Sequence, residues 1–553
     1  MEPRLQKAGS AFINRVQEEQ RLVILFSFLL SNITSIFILT SYPFLQGTSD
    51  TSTYIALSRE IIHNGMSIPS VNAIHYPGST WVYPPVVPYI GALFLYITGA
   101  QGWSAYILYS IVGVELFSLT SIPGYLVVRE LKGTRAAILF SVLYPFFLPS
   151  LYILSWGGYP QLAGFLMTAI AFYYLVLASH YSRKWIVYSV AAGIALGILA
   201  LTHDLTFLVV FASLFLLLLV RFIFVGFGMN LGKNGLRIPA LSLLVSSVFG
   251  LAWYLPRAWW VIDAAFPTSS SVYNKYALGV NLPQSFLSAV VTDFQNITPP
   301  LGPLSSLWPI LLLLVILLGL LLYTNAKELR FSRDSDFILA LVWTSLILSL
   351  VELHNVVLFS RIMYFIFFGS FLLFPYFLLE IMAFLGGQKA SAERLKPLFW
   401  LKKIVFAGVI VLIVVNSGTG LYSNYVSHSY YSALSNTPAN QTSILSVLDY
   451  LHSSASSTSV AAAPVPVSFY IEGYVGIPVL SYQASNYLTQ PVEWEESYAA
   501  YILIYHSGNN NSLTRSYIDQ YHVTYVVIPV NTTGISPMFS LVFSSETLMV
   551  YST

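Results

Sequence analysis

The sequence predicts a polytopic α-helical membrane protein, with about 11 transmembrane helices and a C-terminal extracytoplasmic α/β domain. Two observations of composition predict this class. Of the 553 residues, 56% are hydrophobic and only 9% are charged. The mean hydropathy is +0.71, which exceeds what a soluble core of this size would bury. A third observation is that long apolar runs recur up to residue 421 and then give way to shorter ones.

Apolar runs long enough to cross about 30 Å of hydrocarbon are expected to be helices, because lipid satisfies no backbone polar group. The first run is too long for a signal-peptide core, so we expect it to be a retained first span. The eleven runs cover residues 22–42, 105–128, 136–153, 162–179, 186–201, 206–220, 238–255, 305–323, 337–351, 357–383 and 404–421.

The basic residues predict the orientation of the chain. If the proline-opened stretch 83–100 stays on the outer side, 20 of the 25 Lys and Arg residues fall on the side of the N-terminus. The positive-inside rule then places the N-terminus in the cytoplasm and the C-terminal domain outside a plasma membrane. The predicted domains are 1–421, with outer loops at 43–104 and 256–304, and the outer domain 422–553.

Two function classes are excluded by composition. A net charge of +2 with no basic arm argues against nucleic-acid binding. The absence of cysteine excludes disulfides, thiolate metal sites and cysteine nucleophiles.

The outer domain is predicted from strand-length apolar runs and one helical pattern. The runs are 458–471, 477–482, 499–505 and 523–530, and the helical spacing lies at 440–454. A helix followed by strands with helical stretches between them is typical of a small α/β domain.

The stretch "SDTSTYIALSREIIHNG" (49–65) follows the first span. With Ser49 or Asp50 as N-cap and Gly65 as stop, it predicts an amphipathic helix lying on the membrane. Asp50 would then sit at the boundary of water and lipid. An N-cap role alone would also explain an Asp at this position.

Several motifs follow one another in a recognisable order. Asp50 and Tyr54 precede "ALSRE" (56–60), and then come "YPPVVPYI" (83–90), "VVRELKGTR" (127–135), "LTHDLTF" (201–207) and "FYIEGYVGIPVL" (469–480). This order resembles the GT-C superfamily of membrane glycosyltransferases, and its layout is similar to that of oligosaccharyltransferase catalytic subunits and their archaeal relatives. The resemblance implies a polyprenyl-phosphate-linked sugar donor and membrane lipid as partners.

Two stretches depart from the oligosaccharyltransferase pattern. The place of its WWDYG signature reads "APVPVS" (463–468), and its second outer loop, which carries acids in that family, reads "LSWGGYPQL" (154–162). The sequence therefore does not predict an oligosaccharyltransferase.

The resemblance and the residue chemistry together nominate site residues. Asp50 is the expected general base, and Arg361 and Arg257 are the expected ligands of the donor phosphate. Arg257 would otherwise snorkel to headgroups. The substrate-binding candidates are Arg59, His203, Asp204, Glu352, His354 and Tyr159. His203 and Asp204 would otherwise form a polar pair at a helix end, and Tyr159 an interfacial aromatic.

No cofactor is certain from the sequence. A divalent metal, Mg²⁺ or Mn²⁺, would require Asp50 to meet Glu352 and His354 from distant segments. One histidine and two carboxylates are a weak metal signal.

The predicted function is transfer of a sugar from a polyprenyl-phosphate-linked donor to an acceptor hydroxyl, or to a surface glycan or protein, at the outer membrane face. The first alternative is an inactive protein of the same fold that binds glycans or surface proteins. The second is a lipid or solute transporter with Glu115, Asp204 and Arg361 as a relay, although no internal repeat favours it.

The predicted topology has a direct test. A protease-sensitive tag after Thr553 should be cleaved on intact cells, because the basic residues hold the other side of the protein in the cytoplasm. A tag that is protected in intact cells and cleaved only after lysis would contradict the predicted orientation. A tag before Met1 is the matched control and should show the opposite behaviour.

Overall fold

The computed structural model describes residues 2–40, 48–72, 79–81, 83–226, 234–257, 336–351, 356–384, 438–464, 467–482 and 491–553. Up to residue 384 these residues are almost entirely helical. The helices are α1 (Glu2–Thr40), α2 (Thr48–His63), α3 (Val86–Thr98), α4 (Trp103–Lys132), α5 (Thr134–Leu143), α6 (Leu148–Ser155), α7 (Tyr159–His180), α8 (Trp185–Ala200), α9 (Asp204–Gly226), α10 (Arg237–Tyr254), α11 (Asp336–Val351) and α12 (Val356–Phe384).

The described residues include seven helical segments long and apolar enough to cross a membrane, and three shorter apolar helices. Nine of the eleven predicted spans coincide with helical segments. The other two, 305–323 and 404–421, and the loop 256–304 beyond residue 257 lie outside the described residues. The prediction of a polytopic helical membrane protein is confirmed. Helix α3 has 13 residues, about 20 Å, which is too short to span; its side of the membrane stays a prediction.

One predicted span is a broken helix. The run 136–153 divides into α5 and α6 around a 3₁₀ turn at Tyr144–Phe146. Pro145 lies in this turn and Pro149 in the first turn of α6, and proline cannot donate the backbone hydrogen bond that a continuous helix needs. The rings of Tyr144 and Phe147 pack on Phe371 of α12, with centroid distances of 6.2 and 4.6 Å.

Helix α12 lies at the centre of the helical bundle. Its segment Arg361–Leu379 is 94% buried inside the protein, and the ring of Phe368 stacks on Phe165 of α7 at 4.5 Å. Burial on all sides fits its uniformly apolar sequence.

Helices α8 and α10 approach each other through glycine. A Cβ added at Gly193 would lie 2.8 Å from the backbone oxygen of Ser242, and one at Gly197 would lie 2.4 Å from the ring of Phe249. Small residues allow helices in a membrane to pack this closely.

Helix α2 is buried on more sides than the predicted amphipathic helix lying on a membrane would be. It begins at Thr48, so that Asp50 is in the first turn rather than at the cap, while Gly65 has the expected left-handed conformation, with φ of 64°. Its apolar residues are buried, and so are the small polar residues Ser52 and Ser58. These small side chains let α4 and the outer domain pack closely against the helix, which leaves no free amphipathic face.

The C-terminal domain, whose outer position stays a prediction and which keeps the name outer domain, has the predicted α/β character. Its strands are β3 (Val460–Pro464), β4 (Val479–Tyr482), β5 (Val523–Pro529), β6 (Ser540–Ser544) and β7 (Leu548–Ser552), and its helices are α13 (Pro438–Ser454), α14 (Val467–Tyr470), α15 (Pro491–Tyr505) and α16 (Asn511–Tyr521). The strand order is β4-β3-β5-β7-β6. Strand β3 pairs in parallel with β4 and β5, and β7 pairs antiparallel with β5 and β6. A two-stranded hairpin, β1 (Val71–Asn72) with β2 (Ser79–Thr80), lies between α2 and α3.

Two strand predictions in this domain are wrong. The run 499–505 forms the end of α15, because Ala499, Ala500, Leu503 and Ile504 share one buried helical face. The run 458–471 is strand only over β3; it then turns into α14 and a π-helical turn at Ile471–Val475.

The contact between α8 and α10 generates a stability prediction. Gly193→Ala should lower the free energy of unfolding by about 1–3 kcal/mol, because the new methyl group forces the two backbones apart. Thermal unfolding in detergent measures the change. Gly226→Ala is the matched control, because nothing lies within 4 Å of its added Cβ. Equal melting temperatures for the two variants would contradict the packing argument.

Candidate functional site

The first turn of α2 brings Asp50 next to Arg361 at the start of α12. The distance between Asp50 Oδ2 and Arg361 Nη2 is 4.0 Å, and the two side chains are 33% and 27% exposed. A partly exposed pair of opposite charges, contributed by the two ends of the membrane part, is therefore accessible to a ligand. This is the pair to which the sequence assigns the roles of base and phosphate ligand.

Two opposing effects act on the pKa of Asp50. Burial raises it and the positive charge of Arg361 lowers it, and the effect of burial is the larger, so the pKa lies above the usual value of an aspartate. A carboxylate with a raised pKa is a stronger proton acceptor while it is ionised.

Two side chains of the short stretch "LSWGGYPQL" contact Arg361. Its guanidinium lies 5.3 Å from the ring centroid of Trp156, which is a cation–π arrangement. Its backbone carbonyl accepts a hydrogen bond from Gln161 Nε2 at 3.4 Å. This loop lacks the acids expected in an oligosaccharyltransferase, and here it positions the arginine instead. The sequence analysis did not identify Trp156 as part of the site.

Tyrosines beneath α2 fix the turn that carries Asp50. The hydroxyl of Thr51 donates to Tyr159 Oη at 3.1 Å, and Ser52 Oγ shares a hydrogen bond of 2.5 Å with Tyr106 Oη. The ring of Tyr159 is fully buried and packs on Tyr54 at 6.1 Å. Tyr159 thus contacts Thr51, the residue next to Asp50. Its role in substrate binding stays a prediction.

His203 lies between α8 and α9 within the electrostatic reach of Arg361. Burial, reinforced by the charge of Arg361, lowers the pKa of His203 to about 3, so the imidazole is neutral at physiological pH. Its Nδ1 accepts a hydrogen bond from the backbone N–H of Thr206 at 3.2 Å. The proton is therefore on Nε2, which can donate to a polar ligand.

Asp204 is oriented toward a different neighbour. Its Oδ1 accepts a hydrogen bond of 2.6 Å from the hydroxyl of Tyr254 on α10, and the positive charge of Arg257 acts on it. The adjacent residues His203 and Asp204 therefore belong to two different environments.

Arg257 joins the segment between α2 and α3 to α10. Its Nε donates to the carbonyl of Trp81 at 3.0 Å, and its Nη1 donates to the carbonyl of Trp253 at 2.9 Å. The guanidinium also stacks 3.7 Å above the ring of Trp253. These contacts give Arg257 a structural role, and phosphate binding by it stays a prediction.

Arg59 lies at the other end of α2, nine residues or about 13 Å from Asp50 along the helix. Burial lowers its pKa, and its Nη1 is buried without a hydrogen-bond partner among the described residues. It lies beside Gly476 of the outer domain. Arg59 is therefore separate from the Asp50–Arg361 pair.

The metal prediction is not tested. Glu352 and His354 lie outside the described residues. Within the part of the chain that the structure describes, no three His, Asp or Glu residues are grouped as metal ligands. The involvement of Mg²⁺ or Mn²⁺ thus stays a prediction.

Comparison with known proteins identifies the fold. No protein-family model matches the chain, and no curated protein sequence matches it. Among solved structures, the chain is similar to the archaeal oligosaccharyltransferase AglB from Archaeoglobus fulgidus in complex with an inhibitory peptide and a dolichol-phosphate. The TM-score is 0.56 at 16% identity, over 92% of this chain and 69% of that one.

A second similar structure is ArnT from Cupriavidus metallidurans bound to undecaprenyl phosphate. Here the TM-score is 0.52 at 12% identity, over 95% of this chain and 97% of that one. Both are GT-C glycosyltransferases, and both are polytopic membrane proteins with a C-terminal domain. The predicted resemblance is confirmed at the level of the fold: this chain is a multi-pass membrane protein with a GT-C-like fold.

Proposed function

We propose that the protein is a glycosyltransferase that transfers a sugar from a polyprenyl-phosphate-linked donor to an acceptor hydroxyl at the outer face of the plasma membrane. The observation that carries the proposal is the Asp50–Arg361 pair at 4.0 Å. A proton acceptor and a phosphate-binding cation, brought together from opposite ends of the membrane part, are the two groups that this transfer requires.

The chemistry follows from these two residues. Asp50 accepts the proton of the acceptor hydroxyl. At the same time, the oxygen of that hydroxyl forms a bond to the anomeric carbon of the sugar. The bond from that carbon to the phosphate oxygen breaks, and the polyprenyl phosphate leaves with the electron pair. Arg361 stabilises the negative charge of the departing phosphate through its planar fork of donors. A single displacement of this kind inverts the anomeric configuration.

The donor class is supported by the structural neighbours. AglB and ArnT were solved with dolichol-phosphate and undecaprenyl phosphate, respectively, which are both polyprenyl phosphates. The proposed site also suits such a lipid, because Arg361 begins a candidate membrane span and Asp50 lies on a helix outside the spans. The phosphate would lie at the interface and the chain in the bilayer.

A hydroxyl acceptor is favoured over an asparagine amide by one feature of the outer domain. The place of the oligosaccharyltransferase signature, 463–468, begins at the end of β3 with Ala463, which is fully buried, and ends in α14 with Val467 and Ser468, which are also buried. These buried side chains are not presented to a peptide. We therefore do not propose that the protein recognises a peptide sequon.

Asp50→Asn separates catalysis from structure. The amide preserves shape and hydrogen bonding but accepts no proton, so transfer should fall by about 10²–10⁴-fold, the range of a general-base contribution. The assay measures release of labelled hexose from dolichyl-phosphate-linked and undecaprenyl-phosphate-linked donors.

Melting temperature and binding of the unglycosylated polyprenyl phosphate are the controls, and both should match the wild type. Full transfer by the Asn variant at normal stability would remove Asp50 as the base. If the wild type binds polyprenyl phosphate but consumes neither donor, a binding protein of the same fold becomes the better account.

Arg361→Gln and Arg361→Lys test the electrostatic coupling. Arg361 lowers the pKa of Asp50, and the ionised carboxylate is the active form, so transfer increases as pH rises through that pKa. Loss of the charge in Arg361→Gln should raise the pKa of Asp50 and move the acidic limb of the pH–rate profile to higher pH.

Arg361→Lys retains the charge and should keep the limb near its wild-type position. Its donor affinity should nevertheless fall, because a point charge replaces a fork. Identical pH profiles for the wild type and Arg361→Gln would show that Asp50 does not control the acidic limb.

A further inference from the structure

We propose that the outer domain sets the position of Asp50, with Gly473 as the positioning residue. This inference rests on the proposed function of Asp50. The element involved is the turn formed by residues 471–476, here called the docking turn, which lies in the stretch "FYIEGYVGIPVL".

The docking turn has an unusual local conformation. Residues Ile471–Val475 form a π-helical turn that ends at Gly476 in the left-handed region, with φ of 82°. Single π turns inside helical segments occur frequently at functional sites. Ile471, Glu472 and Gly473 are buried, so the turn is embedded between the outer domain and the membrane part.

Gly473 touches the backbone of α2 directly. A Cβ added at Gly473 would lie 2.5 Å from the Cα of Ser52 and 2.8 Å from its carbonyl oxygen. Real Cβ atoms essentially never approach other atoms this closely, so the contact admits only glycine. Ser52 is two residues from Asp50 near the start of α2. Because both residues belong to the same helix, a displacement of the Ser52 backbone also displaces Asp50.

Helix α4 contacts the first turn of α2 from another direction. The hydroxyl of Ser52 is hydrogen-bonded to Tyr106, which is fully buried. The ring of Tyr106 packs in turn against Tyr474 of the docking turn, with 6.5 Å between centroids. The first turn of α2 is therefore bounded by a tyrosine of α4 and the backbone of the outer domain.

One further contact with α2, and one within the outer domain, restrict the direction of α2. At its distal end, a Cβ on Gly476 would lie 2.7 Å from Nη1 of Arg59, so the docking turn also touches α2 near residue 59. The hydroxyl of Tyr474 donates to Asp449 of α13 at 2.7 Å, which ties the docking turn to the rest of the outer domain. Because the docking turn contacts α2 near Ser52 and near Arg59, the helix has little freedom to tilt.

A small displacement of Asp50 would have a large kinetic effect. A misplacement of about 1 Å in a reacting group reduces the rate by about 10²-fold. Under the proposed function, binding of the donor phosphate depends on Arg361 of α12, whereas the docking turn contacts α2. The positioning role therefore predicts a loss of kcat without a loss of donor affinity.

The test compares two glycine variants of the outer domain. Gly473→Ala should lower kcat about tenfold or more and leave the affinity for dolichyl phosphate unchanged. Gly508→Ala is the matched control, because its Cβ would also collide with backbone, 2.2 Å from the carbonyl oxygen of Gly534, but inside the outer domain. The Gly508→Ala variant should be less stable than the wild type, and its kcat per folded molecule should be unchanged.

A second pair of variants avoids any steric clash. Tyr106→Phe removes the hydrogen bond to Ser52 and should lower kcat in the same way. Tyr144→Phe removes a comparable buried hydrogen bond, to the carbonyl of Phe117 at 2.9 Å, and should leave kcat unchanged. Hydrogen exchange in the peptide 48–58 should increase in Gly473→Ala and Tyr106→Phe, and not in the two controls.

The outcomes separate this inference from the proposed function. Wild-type kcat and unchanged exchange in Gly473→Ala and Tyr106→Phe would overturn the positioning role while transfer activity stands. An equal loss of kcat in Gly473→Ala and Gly508→Ala would also overturn it, in favour of general destabilisation. If the wild type transfers no sugar from either donor, the proposed function fails, and exchange in 48–58 alone decides whether the docking turn holds α2.

Discussion

The packing of the first turn of α2 is the constraint on which the candidate site depends. Three residues in this turn, Asp50, Thr51 and Ser52, each contact a different part of the chain: α12, α7 and α4, respectively. The outer domain adds a backbone contact at Ser52. A turn held by four elements keeps a carboxylate at a fixed place even though it is partly exposed, and such preorganisation is what catalysis by a positioned base requires.

The large features of the fold were predictable from the sequence because they depend on local properties. Membrane spans follow from the length of apolar runs, and the end of α2 follows from Gly65. The features that were missed depend on distant partners. The burial of Ser52 and Ser58 required knowledge that α4 and the outer domain meet there. The run 499–505 is short and apolar, and such a run does not distinguish a strand from a buried helix.

The candidate site was predictable to the extent that its residues are chemically out of place. Asp50 at the end of a span and Arg361 inside an apolar run are costly unless they have a function or a partner, and the structure brings them together. Trp156 and Gly473 could not be recognised in the same way, because a tryptophan near a membrane boundary and a glycine in an outer domain are both ordinary. The backbone bonds of Arg257 to Trp81 and Trp253 are likewise invisible in a sequence.

The shortness of α8 has a consequence for the lipid around the protein. Its 16 residues extend about 24 Å, whereas the hydrocarbon of a bilayer is about 30 Å thick. Ile186, Val187 and Ile194 on this helix are exposed, so lipid chains would contact it directly in a bilayer. A bilayer accommodates such a mismatch by thinning locally. Because α8 leads into His203, on which the charge of Arg361 acts, thinning around α8 would bring lipid headgroups closer to the end of the helix from which the proposed site is approached.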